Sequence, residues 1–142
     1  MYELVRKAEA IARQAHANQV DKSGKPYFGH IERVAARMTS DEARCVAYLH
    51  DILEDTDVLP EADMRRIFGD VITDGVLAVT RFGKEPYDAF VRRAGRNPLG
   101  REVKIADLID NSNLSRLDEV TIVDVLRQRK YNEALEYLLS LE

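Results

Sequence analysis

Apolar residues recur along most of the chain at the spacing of an α-helix. In residues 2–19 they stand three or four positions apart, and charged residues occupy the opposite face. The apolar positions of this segment are Leu4, Val5, Ala8, Ile11, Ala12 and Ala15. This pattern predicts an amphipathic helix at the start of the chain.

Turn-forming and capping residues divide the next part of the pattern. Residues 20–29, VDKSGKPYFG, are interrupted by glycines and a proline, which predicts a loop, and a short helix follows from His30. Ser40 is predicted to cap the next helix, because carboxylates follow it in the first turn, where they favour the positive end of the helix dipole. The adjacent pair His50 and Asp51 therefore falls late in that helix.

The rest of the chain is predicted to be helical with short connections. The predicted segments are 59–69 with Gly69 past its end, 70–79, 86–95, 97–111 opened by Asn97 and Pro98, 118–126 and 130–141. Segment 118–126 is rich in β-branched residues, but we assign it to a helix because no second convincing strand is present to pair with it. The chain is therefore predicted to be an all-α bundle of roughly eight or nine helices, forming a single domain over residues 1–142.

Composition and charge narrow the classes of function. A chain of 142 residues that is 45% hydrophobic fits one globular domain. It has no apolar run long enough to span a membrane and no signal-peptide pattern, so we expect a soluble cytoplasmic protein without a membrane partner. Its net charge of −4 argues against a nucleic-acid polymer as partner and leaves a small anionic ligand open. Cys45 is interpreted as a buried core thiol, and the oligomeric state is left open.

The histidines and aspartates form a pattern suited to a divalent metal. His50 and Asp51 are adjacent, His30 begins another helix, and Asp107 lies in the apolar frame VKIADLI, where an unpaired charge would be costly. Imidazole nitrogen and carboxylate oxygen suit divalent ions such as manganese, iron and zinc. A His-Asp doublet alone is common by chance, so this interpretation depends on the combination and its order. His16 is interpreted as a packing or surface histidine.

Two further carboxylates follow the doublet at helical spacing. Glu54 lies four residues after His50, and Asp55 lies four residues after Asp51, so each pair shares a helix face. The second pair would project one turn beyond the ligands, a position suited to handling the protons of water at a metal site. Taken alone, the stretch EDTD is more typical of a solvated helix end.

The order His, His-Asp, Asp resembles that of the HD-domain metal-dependent phosphohydrolases. The stretches DKSGKPYFGHIERVA, AYLHDILEDT and VKIADLIDNS are together similar to the hydrolase domain of the RelA/SpoT group, especially its small single-domain alarmone hydrolases. The resemblance covers residues 5–139. It implies an HD-domain fold, manganese as the metal, and hydrolysis of guanosine tetra- or pentaphosphate (ppGpp or pppGpp) to GDP or GTP and pyrophosphate, an activity of the stringent response.

The resemblance also implies roles for individual residues. The metal ligands would be His30, His50, Asp51 and Asp107. The catalytic pair that positions or activates the attacking water would be Glu54 and Asp55. The contacts to the nucleotide substrate would be Lys22, Ser23, Tyr27, Asn111, Arg127 and Tyr131.

Some positions depart from the family pattern. Many members carry an arginine before the SG of the loop, where this chain reads Asp21 and Lys22, and lysine supplies the charge without the planar stacking face of arginine. Two alternatives therefore stay open: an HD phosphohydrolase acting on another nucleotide, a phosphomonoester or a triphosphate, and a nucleotide-binding HD module without catalysis. Asp110 is interpreted as a solvated or supporting carboxylate rather than a fifth ligand. Most cations of the loosely matching segment 70–97 are expected to lie in water; they are Arg81, Lys84, Arg92 and Arg93.

Overall fold

The computed structural model describes residues 1–142, and its regular secondary structure is entirely helical. The eight α-helices are α1 (Tyr2–Ala15), α2 (Phe28–Ala36), α3 (Asp41–Leu49), α4 (Ile52–Asp55), α5 (Glu61–Ala78), α6 (Tyr87–Gly95), α7 (Pro98–Asn111) and α8 (Ile122–Leu139). A 3₁₀ turn, Leu114–Arg116, lies between α7 and α8, and Val20 and Pro26 form an isolated bridge. The predicted all-α bundle is confirmed. None of these helices combines the length and the apolar character needed to cross a membrane.

The helices begin where the capping residues predict. Ser40 Oγ accepts a backbone N–H at 3.1 Å and caps α3, and Asn97 Oδ1 accepts one at 2.9 Å and caps α7. Thr121 caps α8 in a reciprocal capping box with Asp124. The helix predicted over 118–126 therefore begins only after Thr121, and it continues without a break to the C-terminal end of α8.

The chain leaves helical geometry at the His50–Asp51 pair. α3 ends at Leu49, and Asp51 has φ −102° and ψ 0° before α4 begins at Ile52. His50 Nδ1 donates to the Ala47 carbonyl at 2.6 Å, so a side chain takes an acceptor that the next turn of α-helix would use. The prediction that the pair lies late within a helix is therefore wrong, because the pair forms the junction between α3 and α4.

The long helix α5 consists of two segments joined at a glycine. Gly69 has φ 85° and ψ 172°, a backbone conformation that residues with a side chain rarely adopt. The boundary between the two predicted helices is therefore in the right place. Arg65 bridges the interruption, because its guanidinium donates to Asp70 at 2.9 Å and to Asp74 at 2.8 Å.

The main core surrounds α3, which packs against α1, α2, α5 and α7. α3 and α5 approach closely at Gly75, where a Cβ would lie only 2.9 Å from Val46 Cγ2. Cys45 is fully buried in this core, as predicted, and burial raises the pKa of its thiol to about 11. A smaller core joins α6, α7 and α8 and consists of Val91, Leu108, Ala134 and Leu138. This packing brings the start of α2, the end of α3 and the C-terminal half of α7 to one place.

Candidate metal centre and adjoining cleft

Three of the predicted ligands converge where α2, α3 and α7 meet. One donor atom from each of His30, His50 and Asp107 lies within 4.8 Å of the others, and all three side chains are buried. Asp107 Oδ1 is 2.9 Å from His30 Nε2 and 3.4 Å from His50 Nε2. Residues that are far apart in the chain therefore present two imidazole nitrogens and a carboxylate to one point.

The fourth predicted ligand, Asp51, lies at the edge of this group. Its Oδ2 is 3.3 Å from His50 Nε2, and it accepts a hydrogen bond from the Tyr27 hydroxyl. Burial and then the Asp51 carboxylate raise the pKa of Tyr27, so this phenol stays a donor to Asp51. The helix junction thus places Asp51 beside the three converging side chains.

Both imidazole rings are held with Nε2 facing Asp107. The Ala47 carbonyl can only accept, so His50 Nδ1 carries a hydrogen, and in the neutral imidazole Nε2 is then an acceptor that can bind a metal. His50 Nε2 is buried without a hydrogen-bond partner, which is costly unless another species binds it. Two oriented imidazoles with two carboxylates are a donor set for a divalent cation, so these residues fit a metal.

Asp110 supports the centre and is not solvated. Its Oδ2 is 2.6 Å from His30 Nδ1, and its carboxylate also accepts from Arg33 at 2.7 Å and 3.1 Å and from Arg116 at 3.4 Å. Although burial opposes ionisation, hydrogen bonds from His30 and Arg33 hold the pKa of Asp110 well below its usual value. The extra carboxylate therefore orients one ligand ring, the supporting role considered for it from the sequence.

Asp107 is held ionised by neighbours on its own helix. Lys104 Nζ donates to Asp107 Oδ2 at 3.1 Å, and Asn111 Nδ2 donates to Oδ1 at 3.2 Å. Although burial opposes ionisation, Lys104 and the two histidines hold the pKa of Asp107 well below its usual value. Sequence reasoning missed Lys104, although a lysine three residues before a buried aspartate shares its helix face.

The two carboxylates after the doublet face different neighbours. Asp55 keeps the predicted helical relation to Asp51, because its backbone N–H donates to the Asp51 carbonyl at 2.9 Å. Partial desolvation, then Asp51 and Glu54, raise the pKa of Asp55. Glu54 turns toward the loop after α5 and accepts the backbone N–H of Arg81 at 2.9 Å. Glu54 is therefore held by the backbone of another loop, whereas Asp55 forms no ion pair and stays close to Asp51.

His16 is a buried packing histidine at the end of α1. Its Nδ1 is 2.7 Å from Gln19 Oε1, and its ring centroid is 5.3 Å from that of Tyr27. α1 ends at Ala15, before the predicted residue 19, and His16 is its C-cap. His16 is not one of the converging side chains.

A cleft of about 390 Å³ adjoins the centre, between the loop after α1, the 3₁₀ turn and the start of α8. It is lined by all six residues predicted to contact substrate, namely Lys22, Ser23, Tyr27, Asn111, Arg127 and Tyr131. Tyr27 also bonds Asp51, and Asn111 also bonds Asp107. The cleft and the metal centre are therefore continuous.

Charges in the cleft are partly paired with each other. Lys22 Nζ is 2.8 Å from Asp124 Oδ1, and this bond, with those from Thr121, lowers the pKa of Asp124 to about 2. Asp21 closes the loop rather than facing a ligand, because its Oδ1 accepts from the Ser23 backbone at 2.9 Å and the Lys25 backbone at 3.0 Å. Asp21, one of the two residues that stand where many family members carry an arginine, therefore forms part of a turn.

Two arginines form contacts that the sequence did not predict. Most of the cations in segment 70–97 were expected to lie in water, and Arg81, Lys84 and Arg92 are exposed. Arg93 is the exception, because it is half-buried and donates to the Leu77 carbonyl at 2.7 Å, the Thr80 carbonyl at 2.6 Å and Glu85. It is a structural brace between α5 and α6. Arg116 lines the cleft and was missed, because it sits in a 3₁₀ turn where no helical periodicity marks a face.

The bundle and its His-Asp centre are those of an HD domain. The chain matches the HD domain family over residues 8–101 and therefore belongs to that family. Among solved structures it resembles one described as a metazoan ortholog of SpoT that hydrolyzes ppGpp, with a TM-score of 0.78 at 22% identity, covering 96% of this chain and 85% of that one. This likeness shows the shared fold.

Curated relatives narrow the resemblance to the RelA/SpoT group and confirm it. The probable guanosine-3′,5′-bis(diphosphate) 3′-pyrophosphohydrolase of Mycoplasma pneumoniae is 41% identical in an alignment 86 positions long that covers 58% of this chain and 12% of that protein. The GTP pyrophosphokinase of Streptomyces coelicolor is 34% identical in an alignment 150 positions long, gaps included, that covers 96% of this chain and 17% of that protein. The chain thus spans less than a fifth of the length of these relatives.

Proposed function

We propose that the protein hydrolyses the 3′-diphosphate of guanosine tetra- or pentaphosphate, with manganese held by His30, His50, Asp51 and Asp107. The observation that carries this proposal is the buried, unpartnered Nε2 of His50, aimed at the same point as His30 Nε2 and the Asp107 carboxylate. The names of the Mycoplasma relative and of the metazoan structure support the choice of substrate.

The reaction exchanges one phosphorus–oxygen bond for another. The oxygen of water bonds to the phosphorus attached to the ribose 3′-oxygen, and the bond from phosphorus to that 3′-oxygen breaks. The 3′-oxygen takes up a proton and becomes a hydroxyl, and the two phosphates leave as pyrophosphate. A divalent cation supplies Lewis acidity to this step, because it lowers the pKa of water and offsets charge on phosphoryl oxygens.

The chain's own residues position the reactants and move the proton. Asp55, with its raised pKa and no competing ion pair, accepts the proton of the attacking water. Glu54 holds the Arg81 backbone and orients that side of the site. Arg127 offsets phosphoryl charge, and Tyr131 and Tyr27 present aromatic surface to the nucleoside in the cleft.

A second candidate keeps the centre and changes the nucleotide. Asp21 hydrogen-bonds within a turn, and Lys22 is paired with Asp124. Neither side chain therefore offers the planar stacking surface that an arginine gives in many relatives. These contacts favour a pocket with weaker selection of the base. An HD phosphohydrolase acting on a phosphomonoester or a nucleoside triphosphate is therefore the alternative.

The test is a manganese-supplemented nucleotide panel in which pyrophosphate and orthophosphate release are measured separately. We expect pyrophosphate from guanosine tetraphosphate, and we expect Asp51→Ala to abolish it together with stoichiometric manganese binding. Asp57→Ala is the matched control, because Asp57 is exposed and forms no ion pair, and it should retain activity. Orthophosphate release from another nucleotide would favour the second candidate, and tight nucleotide binding by manganese-loaded protein without turnover would indicate a binding module.

A further inference from the structure

Two cations near the centre share one aromatic ring and lack an acidic partner. Lys130 Nζ lies 3.9 Å from the centroid of the Tyr87 ring, and Arg81 Cζ lies 5.7 Å from it. Neither side chain forms an ion pair, and Arg81 Nε donates only to the Glu85 backbone carbonyl at 2.9 Å. An aromatic ring, not a carboxylate, therefore brings them together.

This arrangement contrasts with the other cations of the region. Arg93 is paired with Glu85 at 2.9 Å, and Lys104 is paired with Asp107 at 3.1 Å. Burial is the main cause that lowers the pKa of Lys130, and repulsion from Arg81, Arg127 and Lys104 lowers it further. A bound anion would relieve this repulsion.

The cation pair adjoins the centre. The Arg81 backbone N–H donates to Glu54 at 2.9 Å, which ties Arg81 to the segment just after Asp51. On α8, Lys130 directly precedes Tyr131, which lines the cleft. Lys104, which bonds Asp107, lies 4.8 Å from the Phe90 ring centroid, and the Phe90 and Tyr87 rings are 6.2 Å apart. The pair is thus linked to both the ligands and the cleft.

We propose that Arg81 and Lys130 form a phosphate subsite that binds the distal phosphate of the 3′-diphosphate and, after cleavage, the leaving pyrophosphate. The proposal rests on the proposed function and deepens it. With the nucleoside in the cleft and the reacting phosphorus at the centre, the distal phosphate needs a cationic partner one phosphoanhydride link further on. Arg81 and Lys130 are cations near the centre whose side chains form no ion pair with a carboxylate.

The experiment measures binding of inorganic pyrophosphate to the manganese-loaded full chain by calorimetry. Losing one charge-assisted contact should weaken pyrophosphate binding about 10-fold in Lys130→Gln and in Arg81→Gln. Arg129→Gln is the control, because Arg129 is the neighbouring exposed cation on α8 and lines a different surface, with Glu133 and Glu136. Both target side chains are exposed, so the variants should fold, and circular dichroism checks this.

The outcomes separate the subsite from the proposed function. Wild-type turnover of guanosine tetraphosphate tests the function. Weakened pyrophosphate binding in Lys130→Gln, with manganese affinity and Arg129→Gln unchanged, supports the subsite even if that turnover is absent. The subsite is overturned if Lys130→Gln and Arg81→Gln bind pyrophosphate as tightly as Arg129→Gln does. It is also overturned if the wild type does not bind pyrophosphate, even when turnover is present. If the results support both the proposed function and the phosphate subsite, KM for guanosine tetraphosphate should rise in Lys130→Gln.

Discussion

The metal centre and the cleft beside it are built in different ways. In the centre, His30 and Asp107 come from α2 and α7, and His50 comes from the junction after α3; all three are buried and held by hydrogen bonds inside the protein. The cleft is lined by a loop, a 3₁₀ turn and the first turns of α8, and its Lys22 is paired with another cleft residue. The candidate centre therefore depends on buried packing between helices, whereas the cleft depends more on connecting segments.

The largest effect should come from removing the Asp107 carboxylate, which lies close to both histidines of the centre. Asp107→Ala removes a proposed ligand and leaves the buried ammonium of Lys104 unpaired. We expect loss of measurable turnover in a steady-state assay and a decrease of about 3–5 kcal/mol in the free energy of unfolding by urea. The double variant Asp107→Ala with Lys104→Met should recover much of the stability and none of the activity. Recovery of activity would contradict the ligand role.

A smaller effect should follow from loosening one ligand without removing it. Asp110→Asn keeps the size of the side chain but weakens its hold on His30 and Arg33. We expect manganese affinity to fall about 10- to 100-fold in a competition titration, as for other groups that orient a ligating histidine. Asp118→Asn, at an exposed position, should leave the affinity unchanged. Unaltered manganese binding in Asp110→Asn would show that the helices alone orient the ring.

The cleft should respond separately from the centre. Arg127→Ala removes a half-buried cation whose only acidic neighbour, Asp124, is 3.9 Å away. We expect KM for guanosine tetraphosphate to rise about tenfold, the loss of one charge-assisted contact, with manganese affinity within twofold of wild type. A parallel loss of manganese binding would mean that the two regions are not independent.

The smallest effect should be a change in the stability of the folded protein at acid pH. Lys22 is the first cause of the lowered pKa of Asp124, about 2 instead of 3.8. A carboxylate with a depressed folded pKa contributes stability above its unfolded pKa and loses that contribution as pH falls through the folded pKa. We expect Lys22→Gln to be slightly less stable than wild type at pH 5, and we expect the difference to shrink as the pH falls from 3.8 toward 2, by thermal unfolding. A difference that stays constant over this range would require another cause.

Sequence patterns predicted the helices, and the three side chains that converge, better than the contacts that connect them. Helical periodicity and the caps at Ser40 and Asn97 located the elements, since these signals are local. The junction at His50 was not foreseen, because periodicity does not show that a side chain uses the Ala47 carbonyl as its acceptor. Arg93 is the exception among the cations expected to lie mostly in water, since it binds carbonyls at the end of α5 and the Glu85 carboxylate.

The cleft shows more clearly which contacts could not be predicted from the sequence. The resemblance to relatives named six of the residues that line the cleft, but it did not show that Lys22 is paired with Asp124 or that Asp21 closes a turn. Such pairings join segments that no periodic pattern relates. Lys104, by contrast, could have been found, because it precedes Asp107 by three residues on one helix.

The interruption at Gly69 also bears on the order in which the molecule folds. Helices shorter than about 12–15 residues are marginal in isolation, and the glycine divides α5 into two segments below that length. Neither segment should persist before it docks on α3, where Gly75 lies against Val46. α5 should therefore form together with the main core, as part of a common transition state rather than as an early independent element.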